Sequence, residues 1–174
     1  MVSLADGPLA YFITFHTYGT WLPGDPRGSV AIQHNLAGSL RAGPYQPRLM
    51  KSARSLKHAP VVLGEPERAV VVRTIQEVCQ HRRWILRAAH VRTNHVHAVI
   101  GAEMTPERVM NDLKAWATRR VVEAGLRPQG TRLWVRHGST RYLWREEAVA
   151  AACTYVVEGQ GQGREFASWP EPSK

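Results

Sequence analysis

Lysine is scarce in this chain, and acidic residues are fewer than basic ones. Of the 23 basic residues among 174, only Lys51, Lys57, Lys114 and Lys174 are lysines, so the formal net charge of +9 is carried mostly by arginine. Arginine presents fixed pairs of N–H donors that match phosphate oxygens. The charge therefore favours a polyanionic partner such as a nucleic acid. A composition inherited from genomic base bias is the alternative explanation.

Long apolar runs and closely spaced cysteines are also lacking. No apolar stretch approaches the roughly 18 residues that a membrane helix needs, and no basic segment precedes the first apolar stretch. We therefore expect a cytoplasmic protein that does not enter a membrane. Cys79 and Cys153 are isolated, which excludes a disulfide framework and a metal site built on cysteine pairs.

The order of predicted elements indicates an α+β fold, with an antiparallel sheet and helices packed on one face in a ferredoxin-like arrangement. We predict one domain over residues 1–160, a long irregular loop over 19–66 and a polar tail over 161–174. The predicted strands cover 10–17, 84–91, 95–102 and one or two short segments within 133–144, and the predicted helices cover 66–81, 106–124 and 146–158.

His95 and His97 are the sharpest candidates for chemistry. Residues two apart in a strand point to the same face, so both imidazoles project together while Val96 points into the core. Two neutral imidazoles side by side can begin a metal site, and a pair with purely structural contacts is the alternative. For His16 a polar position without a role is the simpler interpretation, and for His90 a structural one.

The segment around this pair resembles the signature of the HUH single-tyrosine (Y1) transposases, which include the IS200/IS605 enzymes and the REP-associated tyrosine transposases. Residues 88–97, AAHVRTNHVH, form an apolar strand, a short turn that ends in Asn, and a His-hydrophobic-His triplet. Two later blocks, residues 110–125 and 134–160, follow in the order found in the family. The resemblance covers roughly residues 10–160 and is weakest over 19–66.

The resemblance implies an enzyme with the HUH fold that binds single-stranded DNA near a DNA hairpin, then cleaves and rejoins one strand. It implies Tyr155, on the last predicted helix, as the nucleophile of a 5′-phosphotyrosine intermediate. Tyr142 is the rival nucleophile, although a packed strand residue is the simpler interpretation. Mg²⁺ or Mn²⁺ is the implied metal, whereas two histidines alone suit Zn²⁺ or Ni²⁺ equally well. Family members include monomers and homodimers.

The third metal ligand is open between two residues. The family places an amide four positions after the tyrosine, where this sequence has Gly159. At about 100° per residue, Glu158 lies about 60° from Tyr155 around the helix and Gln160 about 140° away. We favour Gln160, which can swing back if the helix ends at Gly159, and keep Glu158 as the alternative.

Several basic residues are predicted to contact DNA phosphates: Lys114, Arg119, Arg120, Arg136 and Arg141. Two other functions remain open. One is a non-catalytic nucleic-acid-binding module that stacks bases on Tyr11, Phe12 and Phe15. The other is a metal-dependent phosphodiester hydrolase that uses an activated water, with Tyr155 only packing.

Overall fold

A computed structural model describes residues 7–20, 50–51, 53–158 and 165–168 of the chain. Residues 50–51 and 53–54 are helical, and five strands and three helices have their bounds within the described residues. In chain order they are β1 (Ala10–Thr17), α1 (Glu65–Arg82), β2 (Ile85–Val91), β3 (His95–Gly101), α2 (Pro106–Glu123), β4 (Trp134–Leu143), α3 (Glu146–Glu158) and β5 (Glu165–Ser168).

The strands form one sheet in the order β4-β1-β3-β2-β5, and every neighbouring pair is antiparallel. The predicted α+β class with an antiparallel sheet is confirmed. Strand β3, which carries the histidine pair, is the middle strand, so its side chains are flanked on both sides by residues of β1 and β2. This position makes β3 the most enclosed place in the sheet for a functional group.

The helices cover both faces of the sheet, which corrects the expectation that they all pack on one. Helices α1 and α2 cover the larger core, to which β1 contributes Ile13 and Phe15. Helix α3 covers the opposite face, where a smaller core includes Ala10, Val99 and Val156. The inner strands carry apolar side chains on both faces of the sheet, so helices must cover both faces to bury them.

Helix α1 begins one residue before the predicted start. Glu65 and Pro66 occupy the first turn, and a side-chain oxygen of Glu67 accepts a hydrogen bond from the backbone N–H of Gly64 at 2.6 Å. An acidic first turn and an early proline are typical of a helix start. The same Glu67 carboxylate is paired with Arg127, so the helix start is tied to the segment after α2.

The long loop can be followed only near its ends, because residues 21–49 and 52 lie outside the described part of the chain. Before α1 the chain lies against the end of β1. The backbone N–H of Val61 donates to the carbonyl of Tyr18 at 2.8 Å, and that of Leu63 donates to the carbonyl of Thr93 at 2.7 Å. Both side chains are buried. This end of the predicted loop is therefore part of the core.

The C-terminal segment departs from the prediction of a polar tail. Glu165–Ser168 forms strand β5, which pairs with β2 between Ala88 and Val91. The edge of β2 supplies the backbone groups for this pairing. The polar composition of the segment alone does not indicate that it pairs with a strand. Among the helices of the described residues, none is long and apolar enough to cross a membrane.

Candidate active site

His95 and His97 share one face of the sheet because of the β2–β3 hairpin. The backbone N–H of Arg92 donates to the carbonyl of His95 at 2.8 Å and closes the turn. Val96 is buried in the larger core on the opposite face. The centroids of the two imidazole rings lie 4.7 Å apart. The strand alternation expected from the sequence is therefore observed, and the two rings border the same space.

A polar side chain contacts Nδ1 of each ring. Nδ1 of His97 lies 2.7 Å from the hydroxyl oxygen of Thr14 on β1. Nδ1 of His95 lies 2.7 Å from the side-chain oxygen of Asn94, the last residue of the turn. Histidines that bind metals characteristically hold their other ring nitrogen in such a hydrogen bond. The Nε2 atoms are therefore the nitrogens of this pair that suit a metal ion.

Burial keeps His97 neutral. Its side chain is only 8% exposed, and removal from water lowers its pKa to about 3, with further lowering by His95, His16, His90 and Arg92. Both burial and these neighbouring residues disfavour the protonated ring, so the imidazole is uncharged at neutral pH. Only the neutral form has a nitrogen lone pair for a metal.

Two further histidines lie in the same layer. His16 pairs with His95 across β1 and β3, with ring centroids 5.6 Å apart. His90 is fully buried and pairs with His97 across β2 and β3. From the sequence, His16 could lie near the site but a polar position without a role is favoured, and His90 is interpreted as structural, because only the register between strands brings both to this face.

The histidine pair fits a divalent metal as two of its ligands. Across residues 7–20, 50–51 and 53–158, no group of three or more His, Cys, Asp or Glu side chains is arranged to hold a metal ion. Glu158 is the exposed last residue of α3, and its role as the alternative third ligand stays a prediction. Gln160 lies outside the described residues, and its role as third ligand stays a prediction.

Helix α3 carries Tyr155 to the histidine face. Val149, Ala152 and Val156 are buried at the three- and four-residue spacing of one helix face and pack on the smaller core. The ring centroid of Tyr155 lies 5.7 Å from that of His97 and 5.9 Å from that of Phe12. The tyrosine is 48% exposed. A phenol beside the histidines, within the same chain, is thus open to a ligand from solvent.

Tyr142, the rival nucleophile, lies on the other face. It pairs with Tyr11 across β1 and β4, and the two rings meet edge to face at 5.2 Å. Tyr11 belongs to the larger core, whereas the adjacent residue Phe12 packs against the smaller one. The sheet therefore stands between Tyr142 and the histidine pair.

Only one of the predicted DNA contacts is placed next to the site. The guanidinium of Arg141 lies 5.5 Å from the centroid of the Phe12 ring, and that ring is stacked with His97 at 5.4 Å. Arg136 is exposed on the same edge strand. Helix α2, which carries Arg119 and Arg120, covers the opposite face. There Arg119 lies over Trp116, and Arg120 is paired with Glu77 at 3.4 Å and Glu123 at 3.3 Å.

Lys114 does not fit the prediction that it contacts DNA. Its side chain is buried, and Nζ donates to the carbonyl oxygens of Val135, Arg136 and His137 at 3.0, 3.3 and 3.1 Å. Burial lowers its pKa to about 8. The ammonium group is thus used inside the protein, where it joins α2 to β4.

The sheet aromatics do not form an open stacking surface. Tyr11 and Phe15 are buried beneath the helices that cover the larger core. Phe12 faces the other way, where it contacts His97 and Tyr155. The base-stacking module considered from the sequence would need these rings exposed together on one face, and β1 places them on two.

Comparisons with known proteins bear on the family and the fold of the chain. The sequence profile described as "Transposase IS200 like" matches residues 56–150, a stretch that contains the histidine pair and ends before Tyr155. No curated protein matches the chain. A Deinococcus radiodurans protein proposed to be a transposase is similar in structure, with 16% identity and a TM-score of 0.50 over 94% of this chain and 98% of that one.

A REP-associated tyrosine transposase bound to a REP hairpin is also similar, with 9% identity and a TM-score of 0.47 over 91% of this chain and 70% of that one. The likeness to the Deinococcus protein shows a shared fold. The profile match covers more than half of the chain. The chain belongs to the IS200-like (Y1) transposase family.

Proposed function

We propose that this transposase cleaves and rejoins one strand of single-stranded or hairpin DNA, using a divalent metal and a 5′-phosphotyrosine intermediate. The observation that carries the proposal is the position of Tyr155, whose ring lies 5.7 Å from that of His97 in the same chain. A half-exposed phenol next to a pair of neutral imidazoles combines a nucleophile with metal ligands. This combination supports transesterification on a phosphodiester.

In the cleavage step the Oη atom of Tyr155 attacks the scissile phosphorus. The Oη–P bond forms while the bond from phosphorus to the 3′ oxygen of the departing strand breaks. The phenolic proton passes to water, and the departing 3′ oxygen takes up a proton. The products are a 5′-phosphotyrosine ester and a free 3′-hydroxyl. Rejoining is the same reaction in reverse, so the ester keeps the bond energy and no nucleotide cofactor is needed.

His95 and His97 are the residues that would hold the metal, with Gln160 as the proposed third ligand. Mg²⁺ or Mn²⁺ bound there supplies charge that makes the scissile phosphorus easier to attack. The chain itself contributes the orientation of the parts. The Phe12 ring is stacked with His97 and meets Tyr155 edge to face, so it holds the nucleophile and the ligand in a fixed relation.

Arg141 is the basic residue best placed to bind the DNA backbone at this site. It lies on β4, pairs with Phe12 across the strands, and its guanidinium lies over that ring. The side chain is exposed, so a phosphate can reach it. A guanidinium over the Phe12 ring, which also contacts Tyr155, can bind the phosphate and offset the charge that develops during attack.

The test is capture of the covalent intermediate. Wild-type protein is incubated with an end-labelled oligonucleotide hairpin and Mn²⁺, then denatured and separated by electrophoresis. We expect label to remain on the protein. Tyr155→Phe removes the attacking oxygen and keeps the ring, so we expect the adduct to disappear while the melting temperature stays close to that of the wild type.

Tyr142→Phe is the matched control, because Tyr142 is similarly exposed, at 46% against 48%, but lies on the other face. We expect this variant to form the adduct as the wild type does. If the adduct persists in Tyr155→Phe and vanishes in Tyr142→Phe, then Tyr142 is the nucleophile and the assignment of Tyr155 is wrong. Cleavage without an adduct in any variant would show that an activated water attacks, and the chain would then act as a hydrolase.

A further inference from the structure

Among the residues that the structure describes, Thr14 contributes a side-chain hydrogen bond to a ring nitrogen of His97. It pairs with His97 across β1 and β3, and its hydroxyl oxygen lies 2.7 Å from Nδ1. Thr14 is half-buried and lies outside the residues matched by the family profile. Nothing in the sequence pattern around Thr14 marks it as part of the site.

We propose that Thr14 is a positioning residue, which accepts a hydrogen bond from Nδ1–H of His97 and thereby presents the Nε2 lone pair to the metal. This inference rests on the proposed function, which places a divalent metal on His95 and His97. A neutral imidazole carries its single proton on one nitrogen or the other, and the hydrogen bond at one nitrogen decides which. A proton on Nε2 would block the metal, so the choice of tautomer controls ligand strength.

The arrangement at His95 supports this direction of the hydrogen bond. Nδ1 of His95 lies 2.7 Å from Oδ1 of Asn94, and an amide oxygen can only accept. His95 therefore carries its proton on Nδ1. With Thr14 accepting in the same way, both rings adopt the same tautomer, although their partners come from different elements. Two like tautomers on rings 4.7 Å apart suit one shared ion.

Thr14 also restricts the rotation of the His97 ring. Phe12 stacks against one side of the imidazole at a centroid distance of 5.4 Å, and the planes differ by 23°. Stacking fixes the plane of the ring but is equally compatible with a ring rotated by half a turn about the Cβ–Cγ bond, which exchanges the positions of its nitrogens and carbons. The contact from Nδ1 to Thr14 removes that freedom. Hydrogen-bond partners of this kind typically alter metal affinity by about 10- to 100-fold.

Thr14→Val is the decisive variant, because valine has the shape of threonine without the hydroxyl and is equally suited to a strand. Mn²⁺ affinity of the metal-free protein is measured by calorimetry. We expect Thr14→Val to weaken binding by about 10- to 100-fold, and Thr14→Ser, which keeps the hydroxyl, to restore most of it. Thr140→Val is the matched control: Thr140 donates to Glu107 at 2.9 Å and pairs with Ile13 on the other face, so binding should be unchanged.

A second measurement needs no metal. Nitrogen-15 correlation spectra of the imidazoles report the tautomer of His97, and the signal is assigned with His97→Gln. We expect one tautomer with the proton on Nδ1 in the wild type and in Thr14→Ser, and a mixture in Thr14→Val. Equal Mn²⁺ affinity and the same tautomer in wild type and Thr14→Val would overturn the inference.

The two proposals fail in different ways. If the wild type does not bind Mn²⁺, the proposed metal dependence is wrong, and the spectra alone then decide the role of Thr14. A tautomer change in Thr14→Val would support that role even so. If the wild type binds Mn²⁺ and forms the DNA adduct while Thr14→Val behaves identically, only the inference about Thr14 is overturned.

Discussion

Basic side chains of this protein differ in what they contact, and their contacts separate three kinds of role. Lys114 is enclosed by the carbonyl oxygens of β4. Arg120 lies between two carboxylates of the helix layer. Arg141 lies over an aromatic ring that touches both His97 and Tyr155. A count of charges in the sequence cannot separate these roles, because each depends on a partner distant in the chain.

Arg141→Ala should weaken DNA binding more than Arg120→Ala does. Removal of one phosphate contact is expected to lower the slope of log affinity against log salt concentration by about 1. Arg120 is already paired with Glu77 and Glu123, so its loss should change the slope little. Fluorescence anisotropy with a labelled single strand over a range of salt concentrations measures both variants. Equal slopes for Arg141→Ala and wild type would contradict the placement of a phosphate beside Phe12.

The histidine pair was predictable from the sequence, and Thr14 was not. Alternation along one strand is enough to place His95 and His97 on the same face. The contact with Thr14 depends on the register between β1 and β3, which lie about eighty residues apart in the chain. Register depends on the packing of the whole sheet, and a single-residue slip would turn Thr14 to the other face.

At the scale of elements, β4 departs most from regular geometry. The register between β1 and β4 shifts between Phe15 and Thr17, which pair with Gly138 and Trp134. The carbonyls that accept hydrogen bonds from Lys114 belong to the residues inside this shift. The sequence predicts one or two short strands around Gly138. The structure has one strand. Where its pairing with β1 is irregular, the ammonium group of Lys114 donates hydrogen bonds to the backbone carbonyls.

Gly138→Ala should destabilise the fold through this segment. An added Cβ would lie 2.5 Å from the carbonyl oxygen of Thr14 and would also meet the sulfur of Met110. Because backbone must move to relieve the first contact, we expect a loss of about 1–3 kcal/mol in the free energy of unfolding, as for other overpacked sites. Urea denaturation measures the change.

Gly7→Ala is the control, since no atom lies within 4 Å of an added Cβ there. Its effect should stay within about 0.5 kcal/mol, as for most surface substitutions. If Gly138→Ala and wild type have the same urea midpoint and the same dependence of the unfolding free energy on urea, β4 can move away from β1 without loss of stability, and the prediction is wrong.

Elements were predicted correctly where their pattern lies within a short stretch of sequence. They were predicted wrongly where they depend on pairing with a strand far away in the chain. The apolar face of α3 and the hairpin of β2 and β3 follow from spacing within short stretches. Strand β5 depends on the open edge of β2, so its polar composition pointed to a tail. The expectation that the helices share one face was wrong because the alternation of β1 and β3 leaves apolar residues on both.

At the scale of the whole molecule, helix α3 covers the second face of the sheet and brings Tyr155, the proposed nucleophile, to the histidines of the same chain. The helix is held by the small apolar residues Ala10, Ala88 and Val99, which allow a close approach to the sheet. Tyr155 follows Ala152 by three positions, so it projects from nearly the same side of the helix. The site needs no helix from a second copy to acquire a tyrosine.

We therefore expect no complementation between a variant that lacks the proposed nucleophile and one that lacks a proposed metal ligand. His97→Ala keeps Tyr155, and Tyr155→Phe keeps both histidines. If copies exchanged α3, a mixed dimer would contain one site with an intact histidine pair and an intact tyrosine, and a mixture of the two variants would form the covalent DNA adduct. When the tyrosine acts in its own chain, every site in the mixture lacks one part.

The measurement is adduct formation after the two variants are denatured together, refolded and incubated with labelled hairpin DNA and Mn²⁺. One variant carries a size tag, so that electrophoresis shows which chain is labelled. Wild-type protein refolded in the same way is the positive control. Label on the His97→Ala chain would contradict the placement of Tyr155 beside its own histidines, because that chain can react only at the histidine pair of another copy. The absence of label in the mixture, with label in the control, is the result that the 5.7 Å between the His97 and Tyr155 rings predicts.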